Sequence, residues 1–307
     1  MRRTDPAGRL ESEPDAHAIR TVEQLLAVLD LDSTQARTTE DIFTGSSHPM
    51  PTGRIYGGQV LAQSLLAAER TLPEDRAVHS MHGYFLRPGD ASQGITIAVD
   101  RIHDGRSFST RRSQAYQNGV PIFSMIASFQ DADPGLEHAV PMPEGVPDPD
   151  ALLRDEDRVE GLPPGTARML SDRAADVRHV ESPLFLPGDE GRAPQQAVWM
   201  RMRAPLPDDP RIHRAALAYL SDMTIQESIL RAHGVYWALP GLKVASLDHA
   251  MWWHRPARVD EWLLYVQESP NARGGRGLAN GRIYAQDGDL IATVAQEIMI
   301  RVPGDPH

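Results

Sequence analysis

Cysteine is absent from the 307 residues of the chain. Disulfide bonds, thiolate nucleophiles and cysteine-ligated metal sites are therefore excluded. No apolar run approaches the roughly 18–20 residues that a helix needs to cross a bilayer, so we predict no membrane span. Residues 1–6 also lack the apolar stretch of a secretory signal. From these absences we expect a cytoplasmic protein.

An excess of basic charge is missing as well. The formal net charge is −11 at pH 7, whereas a nucleic-acid-binding protein usually carries a basic stripe, so we expect no nucleic-acid partner. The histidines do not have the spacing of a recognised zinc motif. A P-loop, a dinucleotide fingerprint and a Gly-x-Ser-x-Gly elbow are not found either. The sequence therefore predicts neither a metal nor a cofactor.

Hydrophobic periodicity outlines the elements that are present. Helical spacing predicts helices around Val22–Leu29, from Gly57 to Ala67, and from about His213 to Arg231. Alternating or apolar runs predict strands at Val78–Leu86, Ile95–His103, Ser107–Gln117, Pro121–Phe129 and Ala197–Ala204. Asn118-Gly119 predicts a tight hairpin turn between two of these strands.

The two halves of the sequence resemble each other. The segment 85–88 (FLRP) corresponds to 253–256 (WHRP) at an offset of 168, and 117–119 (QNG) corresponds to 286–288 (QDG) at an offset of 169. Each half has a helix followed by an antiparallel meander, which indicates an internal duplication. Between the halves, residues 134–210 contain 13 of the 25 prolines and favour a linker with short structured pieces. We predict a disordered tail (1–19), a first domain (20–133), a linker (134–194) and a second domain (195–307) that carries the catalytic residues.

Gln296 is the polar exception on the core-facing row of the last strand. The period of two places it on the same face as Val294 and Ile298, and its counterpart in the first half is Ala127. A duplicated domain that keeps alanine in one copy and glutamine in the other indicates a specialised second copy. A buried amide satisfied by backbone is the competing interpretation. If Gln296 acts in catalysis, its replacement by alanine is expected to leave stability nearly unchanged or higher while activity falls by roughly 10²-fold or more.

Asp222 is the only charged residue between Ala215 and Ile225. A carboxylate on an apolar helix face loses hydration, which raises its pKa and suits it to act as a base. A surface-facing Asp222 is the alternative. Ser246 is a third candidate, although small hydroxyl residues are common in strands.

Several long motifs resemble the acyl-CoA thioesterase II family. These are Gly57-Gly58-Gln59, residues 79–89 (HSMHGYFLRPG), residues 245–252 (ASLDHAMW), and the segments around Asp222 and Gln296. The likeness runs from about Val22 to Arg301. It implies an α+β, double hot-dog fold: two tandem units, each an antiparallel sheet wrapped around a long central helix.

The resemblance also implies a reaction and a site. The reaction would hydrolyse an acyl-CoA substrate to fatty acid and CoA without a metal or organic cofactor. The catalytic residues would be Asp222, Ser246 and Gln296, with His79 as a further member. Asp222 would activate a water that Gln296 and Ser246 orient. Backbone N–H groups at the helix start, near Gly58, are candidates to stabilise the oxyanion.

Two other functions stay open at this point. A hot-dog hydratase acting on enoyl-CoA would use an Asp/His pair, and His79 or Asp248-His249 could supply one. A non-catalytic acyl-CoA binding protein would have kept the fold alone. Exposed sheet faces usually pair further, so we also expect a homodimer or homotetramer.

Overall fold

The structure is a computed structural model that describes residues 16–34, 39–158, 160–187 and 192–304. Positions 1–15 of the predicted tail lie outside the described residues, and positions 16–19 open the first helix. In the first half the elements are α1 (Ala16–Leu29), β1 (Asp32–Ser33), β2 (Asp41–Gly45), α2 (Gly57–Glu69), β3 (Ala77–Phe85), β4 (Ile95–Asp104), β5 (Phe108–Gln117) and β6 (Val120–Gln130).

The middle of the chain adds short elements, and the second half repeats the pattern of the first. The middle contains 3₁₀ turns at Pro149–Ala151 and Asp155–Asp157, then α3 (Pro164–Ser171) and β7 (Ala175–His179). The second half contains β8 (Gln195–Met202), α4 (Pro210–Ser221), α5 (Glu227–His233), β9 (Lys243–Ser246), β10 (Asp248–Trp253), β11 (Leu263–Arg273), β12 (Arg276–Ala285) and β13 (Leu290–Arg301).

The strands of the described residues join in a single antiparallel sheet. Its order is β1-β2-β4-β5-β6-β3-β10-β13-β12-β11-β8-β7, and β9 pairs with β13. The run β2-β4-β5-β6-β3 of the first unit returns in reverse as β10-β13-β12-β11-β8 in the second. A pseudo-twofold axis therefore passes between β3 and β10, where His82 lies opposite Ala250. The duplication read from the sequence is confirmed.

The helices α2 and α4 lie side by side against this sheet. They run antiparallel, because Gly58 at the start of α2 approaches Tyr219 near the end of α4. At the opposite ends of the two helices, Arg214 forms an ion pair with Glu69, with 2.6 Å between Nε and Oε1. Residues 58–69 of α2 are all buried, as expected for a helix enclosed by sheet and by another helix. This packing brings the two units into one core.

The turn at Asn118-Gly119 has the predicted form. Asn118 has a φ of 50° and Gly119 a φ of 73°, so both adopt the left-handed conformation of a type I′ turn. This turn fixes the register of β5 against β6, whose pairing runs from Gln117–Val120 to Phe108–Gln130. The predicted hairpin is confirmed.

The segment expected to be a linker does more than connect the units. Its strand β7 extends the sheet by pairing with β8. Met142, Val146 and Leu152 pack on an apolar cluster of the outer sheet face that includes Trp199. The Trp199 indole also donates a 2.9 Å hydrogen bond to the Pro147 carbonyl. The linker therefore covers the outer face of the second unit, while the domain boundaries remain predictions. No helix among the described residues combines the length and apolar character needed to cross a membrane.

Candidate active site

The helix predicted from His213 to Arg231 is two helices, and the break between them creates the site. Helix α4 ends at Ser221, and Asp222 follows as its C-cap before α5 begins at Glu227. Two tyrosines satisfy carbonyls that a continuing helix would have bonded: the Tyr56 hydroxyl donates to Tyr219 O at 2.9 Å, and the Tyr265 hydroxyl donates to Ser221 O at 3.0 Å. The prediction of a single helix is wrong. Hydrophobic periodicity reports only on residues within the segment, whereas these caps come from tyrosines that are distant in the sequence.

Asp222 is buried at the end of α4, with 4% of its surface exposed. Its Oδ1 accepts hydrogen bonds from Gln296 Nε2 at 2.9 Å and from Ser246 Oγ at 3.2 Å. Burial raises the pKa of Asp222 to about 6, although hydrogen bonds from Gln296, Ser246 and the Gly58 N–H act in the opposite direction. The carboxyl group is thus poised to ionise near neutral pH.

The glycine pair at the start of α2 allows the two units to meet at Asp222. A Cβ atom on Gly57 would lie 2.6 Å from Asp222 Oδ2 and 3.2 Å from the Phe85 ring. A Cβ atom on Gly58 would collide with the Tyr219 carbonyl. The Gly58 N–H faces Asp222 and lowers its pKa, as expected at the positive end of a helix dipole. The role of the N–H groups near Gly58 as oxyanion donors stays a prediction; in this structure the Gly58 N–H bonds to the Asp222 carboxylate.

Gln296 and Ser246 come from adjacent strands of the second unit. Ser246 on β9 pairs with Ile298 on β13, which puts its side chain beside that of Gln296. Gln296 is fully buried and donates through Nε2 to Ser246 Oγ at 2.6 Å. Its face also carries Ala292, Val294 and Ile298, all buried. The predicted core-facing row is confirmed, and the amide is satisfied by side chains rather than by backbone.

Two residues behind Gln296 complete the arrangement. His249 Nδ1 lies 2.6 Å from Gln296 Oε1, and His249 Nε2 lies 3.0 Å from Ser221 Oγ. The sequence had suggested His249 only as part of a hydratase-like pair with Asp248. Strand alternation points the two side chains to opposite faces, and Asp248 accepts from the Glu297 N–H at 2.7 Å.

His79 lies away from this group. It sits on β3, where its Nε2 is 2.8 Å from Ser128 Oγ on β6 and its ring packs edge-on against Phe108. These contacts, with Ser128 and Phe108, are separate from Asp222, Ser246 and Gln296. The structure thus brings together three of the predicted side chains and the Gly58 amide, and it leaves His79 elsewhere on the sheet.

At the equivalent positions of the first unit, the sheet residues are apolar rather than polar. In β3 and β6, Val78 pairs with Phe129 and Met81 pairs with Ala127. Offsets of 168 and 169 relate these pairs to Ser246–Ile298 and to His249 with Gln296 in the second unit. Val78, Met81 and Ala127 are buried and apolar, so they offer no hydrogen bonds to a water or a carboxylate.

The first unit also has a buried carboxylate at the end of its central helix. Glu69 ends α2 much as Asp222 follows α4, and it is 1% exposed. Burial raises its pKa to about 7, against the neighbouring charge of Arg214, which bonds to it at 2.6 Å. Because Arg214 bonds to Glu69 and alanine stands at the position of Gln296, the first unit lacks the arrangement found around Asp222. In residues 16–34, 39–158, 160–187 and 192–304, no cluster of three or more His, Asp or Glu could hold a metal ion.

Solved structures identify the class of fold. A protein with a hot-dog fold from Alicyclobacillus acidocaldarius superposes with a TM-score of 0.73, covering 91% of this chain and 98% of that one at 21% identity. At that identity the likeness shows the fold alone. An acyl-CoA thioesterase II from Mycobacterium marinum superposes with a TM-score of 0.74 at 45% identity, covering 91% of this chain and 99% of that one. The duplicated sheet with two antiparallel central helices is a double hot-dog fold, as predicted.

Sequence comparison identifies the family. Residues 168–299 match the acyl-CoA thioesterase model, and residues 46–130 match the model of an acyl-CoA thioesterase N-terminal domain. The chain is 39% identical over 265 residues to acyl-CoA thioesterase 2 of Haemophilus influenzae, which covers 85% of this chain and 92% of that protein. The chain belongs to the acyl-CoA thioesterase family, and the resemblance noted in its motifs is confirmed.

Proposed function

We propose that this enzyme hydrolyses fatty acyl-CoA by direct attack of a water molecule that Asp222 activates. Asp222 accepts a proton from the water as its oxygen attacks the thioester carbonyl. The tetrahedral intermediate then breaks its C–S bond, the proton passes to the leaving thiolate, and the products are a fatty acid and CoA. A thioester carbonyl is electrophilic enough that this route needs no covalent enzyme intermediate.

The observation that carries the proposal is the environment of the Asp222 carboxyl group. Burial raises its pKa to about 6, near the operating pH that best suits a general base. The N-terminus of α2 lies beside it at Gly58 and stabilises the ionised form. The base is therefore ionised at neutral pH yet remains more basic than an exposed aspartate.

Gln296 and Ser246 have a positioning role in this proposal. Both donate to the same oxygen of Asp222, at 2.9 and 3.2 Å, so the carboxylate has a fixed orientation. A water bound between Asp222 and Ser246 would meet these groups with a reproducible attack angle, which is the main benefit of a preorganised site.

A hydratase is not supported by this geometry. Both ring nitrogens of His249 are engaged by Gln296 and Ser221, and the ring is fully buried. Asp248 points to the other face and bonds to the Glu297 backbone. A non-catalytic binding role is disfavoured because Asp222, Ser246 and Gln296 are in mutual contact.

The test is a thiol-release assay on straight-chain acyl-CoAs from short to long. Because the chain has no cysteine, the protein adds no thiol background, and a dithiodipyridine reagent can be used across acidic pH. We expect stoichiometric release of free CoA, with Asp222→Asn and Gln296→Ala both strongly impaired. Binding of acyl-CoA without release of thiol would overturn the proposal.

We further propose a homodimer or homotetramer in the cytoplasm. On the outer sheet face of the first unit, Tyr84 is 63% exposed, Ile126 49% and Phe108 45%, whereas the linker covers the matching face of the second unit. Exposed apolar side chains of this kind favour association with another copy. Light scattering at micromolar concentration should give a mass of two or four times 33.9 kDa. A monomeric mass would contradict the association and leave the proposed chemistry untouched.

A further inference from the structure

A buried histidine stands directly behind the amide that holds the proposed base. His249 is fully buried on β10, with Nδ1 2.6 Å from Gln296 Oε1 and Nε2 3.0 Å from Ser221 Oγ. Gln296 in turn donates from Nε2 to Asp222 and to Ser246. Ser221, His249, Gln296 and Asp222 therefore form a continuous chain of hydrogen bonds.

The proton positions in this chain follow from what each atom can do. An amide oxygen only accepts, so the hydrogen between Gln296 Oε1 and His249 must reside on Nδ1. Burial lowers the pKa of His249 to about 4, although the Gln296 contact acts in the opposite direction. The ring is neutral at pH 7, which leaves Nε2 as an acceptor. The Ser221 hydroxyl is the donor within reach of Nε2, at 3.0 Å, and it also lies 2.9 Å from the Ala218 carbonyl.

With its proton on Nδ1, His249 supports the same orientation of the Gln296 amide that the Asp222 carboxylate requires. A reversed amide would place Oε1 against the Asp222 carboxylate, where two acceptors would face each other. In the Nδ1–H tautomer it would also place the NH₂ group against the Nδ1–H of His249, where two donors would meet. Both contacts would leave buried polar groups unsatisfied, so the observed orientation is strongly favoured.

The duplicated unit supplies an internal comparison. At the positions related by the repeat, Met81 stands for His249 and Ala127 stands for Gln296, and those two residues are register partners. Both are buried, as their counterparts are. The fold therefore accepts an apolar pair at this place in the sheet. The polar pair occurs in the unit that carries Asp222, which argues that His249 serves the site rather than the sheet.

We propose that His249, supported by Ser221, is a positioning residue for thioester hydrolysis: it holds the Gln296 amide with its NH₂ group toward Asp222 and Ser246. The inference rests on the proposed function, in which Asp222 is the base. His249 does not touch the substrate or the water; it acts through Gln296. Its removal should weaken the chemical step while acyl-CoA binding is retained.

The experiment compares His249→Met with His249→Asn. Methionine is the residue that the first unit carries here, so the variant should fold, yet it provides no donor to Gln296. We expect kcat to fall about tenfold or more with KM within about twofold, as for other losses of positioning. The kinetic pKa should also rise, because Gln296 then donates less reliably to Asp222. Asparagine places an N–H near the Nδ1 position and should recover most of the lost rate and the original pKa.

Two further measurements keep the inference falsifiable. In a Gln296→Ala background, His249→Met should cause no additional loss of kcat, since the histidine acts through that amide. His213→Met is a matched control: this buried histidine accepts from the Val259 N–H at 3.2 Å, away from the site, and its loss should lower stability without changing kcat or the pH profile.

The outcomes separate the two proposals. If Asp222→Asn is inactive while His249→Met keeps the full rate and an unchanged pH profile, the positioning role is wrong and the proposed base stands. If His249→Asn is as impaired as His249→Met, or if the losses add in the Gln296→Ala background, the positioning role is also wrong. If Asp222→Asn retains full activity, the proposed function itself fails, whatever the His249 variants do.

Discussion

Replacing Asp222 with asparagine separates catalysis from stability in a way that depends on pH. The side chain keeps its shape and one oxygen acceptor for Gln296 and Ser246, but it loses the ability to take a proton. Substrate binding should survive while the chemical step fails, so kcat should fall by about 10²-fold or more with little change in KM. In the wild type, kcat should rise with pH and level off above a pKa of about 6.

Asp222→Asn should lower activity but raise the free energy of unfolding. Burial raises the pKa of Asp222 from 3.8 to about 6, so between these values the folded state holds a proton that the unfolded chain releases. Ionisation of the carboxyl group therefore lowers stability as pH rises from 3.8 to about 6, and above that pH the loss is complete at about 3 kcal/mol. The uncharged asparagine side chain carries no such cost. The variant should match the wild type near pH 4 and exceed it by up to about 3 kcal/mol at pH 8, less what its NH₂ group loses against the Gly58 N–H.

Urea unfolding at pH 4 to 8, at one protein concentration, measures this difference directly. Asp260→Asn is a control of opposite sign: burial raises the pKa of Asp260, but bonds from Arg258 and the Leu206 N–H outweigh it and leave the pKa lowered. That variant should be less stable than the wild type, by an amount that does not change between pH 5 and pH 8. The reasoning about Asp222 is refuted if Asp222→Asn hydrolyses acyl-CoA within about twofold of the wild-type rate, or if its stability relative to the wild type does not rise with pH.

The remaining predictions concern the groups around Asp222. Gln296→Ala should lower kcat by about 10²-fold. It should also destabilise the protein by about 1–3 kcal/mol in urea at pH 7, because the His249 Nδ1–H loses its acceptor. The double variant His249→Met/Gln296→Ala recreates the Met81–Ala127 pair and should recover most of that stability without activity; continued instability would show that the two units differ in packing. Gly57→Ala would put a Cβ atom 2.6 Å from Asp222 Oδ2 and should lower kcat at least tenfold with an unchanged circular dichroism spectrum. An alanine variant of normal rate would show that the close approach of α2 is not needed.

The contrast between the two units is the reason we expect that alanine will not be a neutral replacement for Gln296. The sequence alone suggested that it would be, because Ala127 occupies the equivalent position. In the structure Ala127 faces Met81, whereas Gln296 faces His249 and holds Asp222. The apolar and polar pairs are each self-consistent, so exchanging one member alone leaves a buried donor without an acceptor.

The sequence by itself determined the repeat, most of the strands and the turn at Asn118-Gly119. These features depend on local signals: alternation of apolar residues, a dipeptide suited to left-handed φ angles, and motifs that recur at an offset of 168–169 residues. It also singled out Gln296 and Asp222, because a polar side chain on an apolar face is visible from periodicity alone. Family resemblance supported the same two residues and strengthened the case for Ser246, which was a weak candidate by itself.

Only the tertiary structure decided how these residues act together. The break after Ser221 depends on hydroxyls from Tyr56 and Tyr265, which lie in different units and cap carbonyls that local helix signals assign to continued helix. The meeting of Gly57 with Asp222 depends on the antiparallel packing of α2 against α4. The tautomer of His249 follows from its burial and from its two partners, Gln296 and Ser221, neither of which is near it in the sequence. Such effects arise from the pairing of distant groups in a low-dielectric interior, and periodicity along one segment carries no information about them.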